Sequence, residues 1–245
     1  MRSNYLVHWT GQTIETCIER LTPQNREAYV RRLVSILSNG IWLAIPSEHE
    51  ILIGHAAPIQ YSLSVACFTE IRLSHAWDHA HQYGLLGIGV TRKFVLDRRG
   101  GPVLYVRNRP CELVVGNVYE LDRAIVNKTN QSKLRVLLGF MKGMSTPGSD
   151  FEDFRFLDEQ EWRVVYPGKD KCCGLIKTTG ASDHPNTRQG HTAFTMPLHP
   201  DDVRLIVFPD DGTREKALER EEVHRFLDHA SKPIACLTVE ECRQF

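Results

Sequence analysis

Short apolar runs of strand character, mixed with helix-period segments in no regular alternation, are the feature that most limits how this 245-residue chain can fold. A doubly wound sheet needs strand and helix to alternate, which this chain does not do, so α+β is the expected class. The strand readings are Tyr5–Thr10, Ile41–Ile45, Ser64–Thr69, Leu86–Val90, Val103–Val106, Glu112–Val115, Glu161–Val165 and Val203–Phe208. They are short and rich in β-branched, aromatic or leucine residues. Helical spacing of Ile14, Cys17, Ile18 and Leu21 predicts a helix from Thr13 to about Leu21, broken by Pro23. A second helix is expected over Asn25–Ser38, with Tyr29, Val30, Leu33, Val34 and Leu37 inward and Asn39-Gly40 as its stop. Arg72–Tyr83, part of Val118–Met141, and an amphipathic Thr213–Ala230 complete the helical set, while 168–190 is polar and turn-rich.

This length suits one domain over 1–245. Thirty Lys plus Arg balance thirty Asp plus Glu, so net charge points to neither nucleic acid nor a membrane surface. Seven cysteines without a Cys-x-x-Cys pair fit reduced thiols in a cytoplasmic protein rather than a structural zinc site. No apolar run approaches the length of a membrane span.

Three groups of residues could carry chemistry. His8-Trp-Thr-Gly11 ends the first strand, where alternation puts His8 and Thr10 on one face and Gly11 would let a ligand approach the backbone. The competing reading is a partly buried histidine beside an apolar tryptophan. Glu159-Gln-Glu-Trp-Arg163 places Glu159, Glu161 and Arg163 on one strand face. An unpaired carboxylate is costly in an apolar strand, so Glu161 either pairs with Arg163 or lines a cavity that wants negative charge. His75, His79 and Tyr83 stack at four-residue spacing, but no third metal ligand or His-Glu-x-x-His pattern accompanies them, and packing is the expected role. Arginines and lysines between Arg92 and Arg135 read as a solvated face unless they meet phosphate.

In order along the chain, Val65-Ala-Cys-Phe-Thr-Glu70, His79-x-x-x-Tyr83-Gly84, Gly87-Ile-Gly-Val90, Gly100-Gly-Pro-Val-Leu-Tyr-Val106, Glu161-Trp-Arg-Val-Val165 and Pro197-Leu-x-Pro-Asp-Asp-Val-Arg-Leu-Ile206 resemble the AbiGi-type abortive-infection proteins of bacterial phage resistance. A strand ending His-x-Thr, a helix, an Asn-Gly turn into a strand and a late strand bearing Glu are similar, more distantly, to the ADP-ribosyltransferase superfamily and its DarT-like branch. That likeness implies a split, strongly bent antiparallel β core with flanking helices that grips NAD as substrate. His8 would contact the adenosine ribose, and Thr10 and Gly11 the nicotinamide amide. Tyr83 or Phe68 would stack on the nicotinamide, Cys67-Phe-Thr69 being the nearest match to the middle motif. Glu161 would hold the nicotinamide ribose and stabilise the cation that forms as the glycosidic bond breaks. Glu159 would activate the acceptor.

The resemblances together imply an anti-phage defence protein that transfers ADP-ribose to a macromolecular acceptor, nucleic acid or protein. The loop from Gly143 to Asp150 would recognise that target. A cognate antitoxin or another defence protein would be a partner. Two alternatives stand beside it: a non-enzymatic toxin, antitoxin or sensor component that binds a protein, and a simple NAD hydrolase.

Overall fold

A computed structural model describes residues 5–44, 50–53, 58–60, 63–70, 72–106, 113–143, 160–166, 176–178 and 193–244. The class is α+β. Its largest sheet has seven strands, built on β1 (Tyr5–Thr10), β5 (Val65–Thr69), β6 (Leu86–Thr91), β7 (Gly101–Pro102), β10 (Glu161–Val165), β13 (Val203–Phe208) and β14 (Ala235–Thr238). Their spatial order is β14-β13-β6-β1-β5-β10-β7. The smaller sheets are β11-β12-β2 (Ile176–Thr178, Ala193–Met196 and Ile41–Leu43), β3-β4 (Glu50–Ile53 and Pro58–Gln60) and β8-β9 (Leu104–Val106 and Met141–Gly143).

The large sheet is mixed rather than purely antiparallel. β13 and β14 run parallel, because α6 (Asp211–Leu218) and α7 (Glu221–Asp228) lie between them in the chain and carry it back to the starting edge. The other pairings are antiparallel.

Register decides which side chains can meet. Val7 lies opposite Thr69, and Thr69 opposite Glu161, so these three share one face across β1, β5 and β10. Arg163 sits opposite Cys67 on that same face. One residue along, His8 projects from the other face, its ring centroid 5.6 Å from that of Phe68, the cross-strand neighbour of Trp162.

Each face has its own cover. Helix α1 (Pro23–Asn39) lies over the His8 face, where Arg32 Nη1 donates to Thr10 Oγ1 at 3.2 Å. Thr22 starts this helix with a capping box, its side chain accepting from the Asn25 amide, and Pro23 stands in the first turn, where a missing N–H costs nothing. Over the Glu161 face lies the junction between α5 (Lys128–Gly139) and β9, where Gly139 packs against the Val165 side chain. The main core includes Leu6, Phe68, Leu86, Ile88, Val164 and Ile206; a smaller cluster of Val106, Leu134, Leu138 and Met141 sits under α4 (Leu113–Ala124) and α5.

Several sequence expectations are corrected. Thr13–Leu21 is not a helix; only a 3-10 turn forms, at Ile18–Arg20. Glu112–Val115 is not a strand, since Leu113 begins α4. Arg92–Asp97 forms a short helix, α3, capped by Thr91. The long helix expected over Thr213–Ala230 is broken into α6 and α7. Arg72–Tyr83 divides into a 3-10 turn at Leu73–His75 and α2 (Ala76–Tyr83), and Val239–Cys242 closes the set as α8. Ile176–Thr178, within the turn-rich stretch, is a strand. Positions 144–150 of the expected target-recognition loop lie outside the described residues. No helix among the described residues is long and apolar enough to cross a membrane.

Candidate site at the Glu161 ion cluster

Glu161 is buried, and among the described residues its carboxylate is met by two cations, Arg163 and Lys142, and by the Cys67 thiol. Arg163, two residues along and on the same strand face, holds it with two bonds: Nε to Oε1 at 2.6 Å and Nη2 to Oε2 at 3.2 Å. Lys142 of β9 adds Nζ to Oε2 at 3.1 Å. The two basic side chains are themselves buried, at 6% and 9% exposure. Two parallel N–H bonds from a planar guanidinium suit a carboxylate better than any single-point contact.

Arg163 also ties the cluster to the backbone. Its Nη1 donates to the carbonyls of Gly139 at 3.1 Å and Met141 at 3.3 Å, the last turn of α5 and the first residue of β9. Tyr105 completes the frame, its hydroxyl accepting from the Glu161 amide at 2.9 Å. The cluster therefore joins β10, β8, β9 and α5.

Burial alone would raise the Glu161 carboxyl, but the charges of Arg163 and Lys142 and the hydrogen bonds from Arg163 and Cys67 outweigh it and hold the group below the usual carboxylate range. Cys67 pays the opposite electrostatic consequence. Its half-buried thiol, facing Glu161, is pushed strongly up by desolvation and by the carboxylate, which disfavours the thiolate.

His8 occupies the opposite face. Its Nδ1 lies 2.9 Å from the Cys67 carbonyl, which assigns the proton to that nitrogen in the neutral ring. Burial lowers its pKa, with Arg32 pushing the same way and the carbonyl bond opposing. The sheet itself thus separates His8 from Glu161, whose side chains leave their strands on opposite faces.

The remaining sequence candidates divide in two. Thr10 and Gly11 do meet the α2 end that carries Tyr83, because Gly84 packs directly against the Thr10 carbonyl. Yet the space beside Gly11, read as room for a ligand, is filled: a Cβ there would lie 2.3 Å from Cε1 of Tyr29. Gly11 has φ of 102°, and this left-handed turn is held by the fully buried Tyr29, whose hydroxyl donates to the Glu15 carbonyl and accepts from the Leu85 amide. Tyr83 is paired with His79 at 6.1 Å, its hydroxyl accepting from Gln82.

Phe68 is fully buried in the core, where it has no open face for a nicotinamide. Thr69 is buried on the Glu161 face; its hydroxyl accepts from Trp9 Nε1 and donates to the Val7 carbonyl. Glu159 lies outside the described residues.

Lys142 and Tyr105 were not among the sequence candidates. Lys142 is a lone basic residue beside buried Met141, with no spacing that links it to a strand 19 residues later. Tyr105 reads from sequence as an ordinary strand aromatic.

A family model described as "Putative abortive phage resistance protein AbiGi, antitoxin" matches residues 50–209, more than half of the chain. The match includes β5, β10 and the Glu161 cluster, whereas His8 lies before it. No curated protein and no solved structure matches the sequence. From the family match, this chain belongs to the AbiGi abortive phage resistance family.

Proposed function

We propose that the chain serves abortive infection as an antitoxin-type component that acts by binding a protein partner, without consuming NAD. The observation that carries this reading is the state of Glu161. A carboxylate that stabilises a ribosyl cation must keep an oxygen for the sugar and gain interaction as charge develops. Both oxygens of Glu161 are instead taken by Arg163, and one also by Lys142, inside a buried cluster. Cations against the carboxylate would also offset the field that a developing positive sugar needs. The description of the matching family as an antitoxin supports the same direction.

Expression of the chain alone tests the proposal. An antitoxin-type binder leaves growth and cellular NAD unchanged, and the purified protein releases no nicotinamide from NAD. Growth arrest with falling NAD, abolished by Glu161→Gln in a variant that keeps its melting temperature, would overturn it.

A further inference from the structure

The described residues bury their apolar side chains in two separate cores. The main core draws on the seven-stranded sheet and the helices around it, and no described residue between 104 and 143 is part of it. That stretch, which holds β8, α4, α5 and β9, has a small core of its own: Val106, Leu134, Leu138 and Met141, with Val118, Tyr119 and Ile125 at its margin. Its two strands pair with each other rather than with the large sheet. The β3–β4 hairpin, also outside that sheet, lies beside α4 and β9.

The contacts that join this stretch to the sheet are largely polar. From its side come Lys142 Nζ, the Tyr105 hydroxyl and the carbonyls of Gly139 and Met141; from the sheet come Glu161 and Arg163. Gly139 against Val165 and Leu63 is the apolar part. A buried ion contact adds little to docking, because opening returns each charge to water. Arg163 and Glu161, on one strand, stay paired when that happens. Apolar burial, the stronger force, is incomplete here. Of eight exposed large hydrophobic residues among those described, five are Leu113, Val114, Leu121, Val126 and Leu137, on α4, α5 and the turn between them.

We propose that β8, α4, α5 and β9 open from the sheet as one unit, at a lower free-energy cost than global unfolding, with the Lys142–Glu161 contact as the latch. A core this small does not hold about 40 residues folded alone, so undocking and the loss of both helices are a single event. Opening uncovers the face of β5 and β10 that carries Cys67, Glu161 and Arg163, while the main core stays closed. This inference stands apart from the NAD and antitoxin questions, because the motion belongs to the chain alone and is measured without partner or phage.

Hydrogen exchange of the full chain, resolved by proteolysis and mass spectrometry, tests it. Amides of α4 and α5 are expected to share one opening free energy, below that of β1, β6 and β13. Lys142→Met removes the latch and should speed exchange in both helices about tenfold, the scale of one charge-assisted hydrogen bond, with β6 and β13 unchanged. Leu138→Ala weakens the small core but keeps the latch, and it should speed the same two helices together. Wild-type α4 and α5 that exchange no faster than β6, or at unrelated rates, would overturn the proposal. So would a Lys142→Met variant in which α4 and β6 speed up equally, or in which neither changes.

Discussion

Glu161 and His8 sit on opposite faces of one sheet, and the fold treats the two groups differently. Glu161 is held by two side chains from β9 and β10 and by a tyrosine hydroxyl at its amide, and it stays charged. His8 has one backbone carbonyl as partner and is kept neutral by burial. A full charge survives inside a protein only where neighbours replace its water, whereas an imidazole can give up its proton and settle for a single bond. The comparison separates a cross-element clamp from a residue that merely fits.

Breaking the clamp should have the largest effect. Arg163→Met strips Glu161 of its bidentate partner and frees the carbonyls of Gly139 and Met141; a loss of about 3–5 kcal/mol is expected, read from the urea midpoint. On the His8 side, Gly11→Ala should cost about 1–3 kcal/mol, because the left-handed turn resists a side chain and the new Cβ meets the Tyr29 ring. His8→Leu should cost only about 1 kcal/mol, the scale of the one hydrogen bond to the Cys67 carbonyl that it removes.

Acid sharpens the contrast. Both groups have depressed folded-state pKa values, so the unfolded chain binds more protons and stability falls as pH falls. For His8 the loss begins below its ordinary value of 6.5 and is complete once pH has passed its lower folded value. For Glu161 it begins below 4.5 and continues until pH has fallen through the folded value. Urea midpoints measured across pH should show two separate declines, and His8→Leu should remove the upper one alone. Persistence of the upper decline in that variant would assign it to another group.

The β framework was legible because its strands carry strong local signals. Glu161–Val165 and Val203–Phe208 have the bounds that their β-branched and aromatic content suggests, and α1 stops at Gly40 as expected, although it begins at Pro23 rather than Asn25. The Thr13–Leu21 helix failed since four apolar residues at helical spacing do not outweigh an irregular path that packs Ile14 and Ile18 on the core. Val114-Val115 looked like a strand by β propensity, which tertiary context overrode within α4.

The site was half legible. Arg163 shares a strand face with Glu161, and that spacing alone offered a salt bridge as an alternative to catalysis. Lys142 could not be seen, as its approach depends on how α5 delivers β9 beside β10. Nor could the separation of His8 from Glu161 be read: it follows from the one-residue register between β1 and β5, which no local pattern encodes.

The most direct measurement concerns the whole cluster rather than one member. Replacing it by apolar side chains of similar length, with Lys142→Met, Glu161→Met and Arg163→Met together, removes every charge without leaving one stranded. A clamp whose role is structural predicts a folded protein, more stable than Arg163→Met alone, that still protects cells in a phage-plating assay. A variant that folds with an unchanged melting temperature but no longer protects would contradict the account and return Glu161 to the chemistry of the protein.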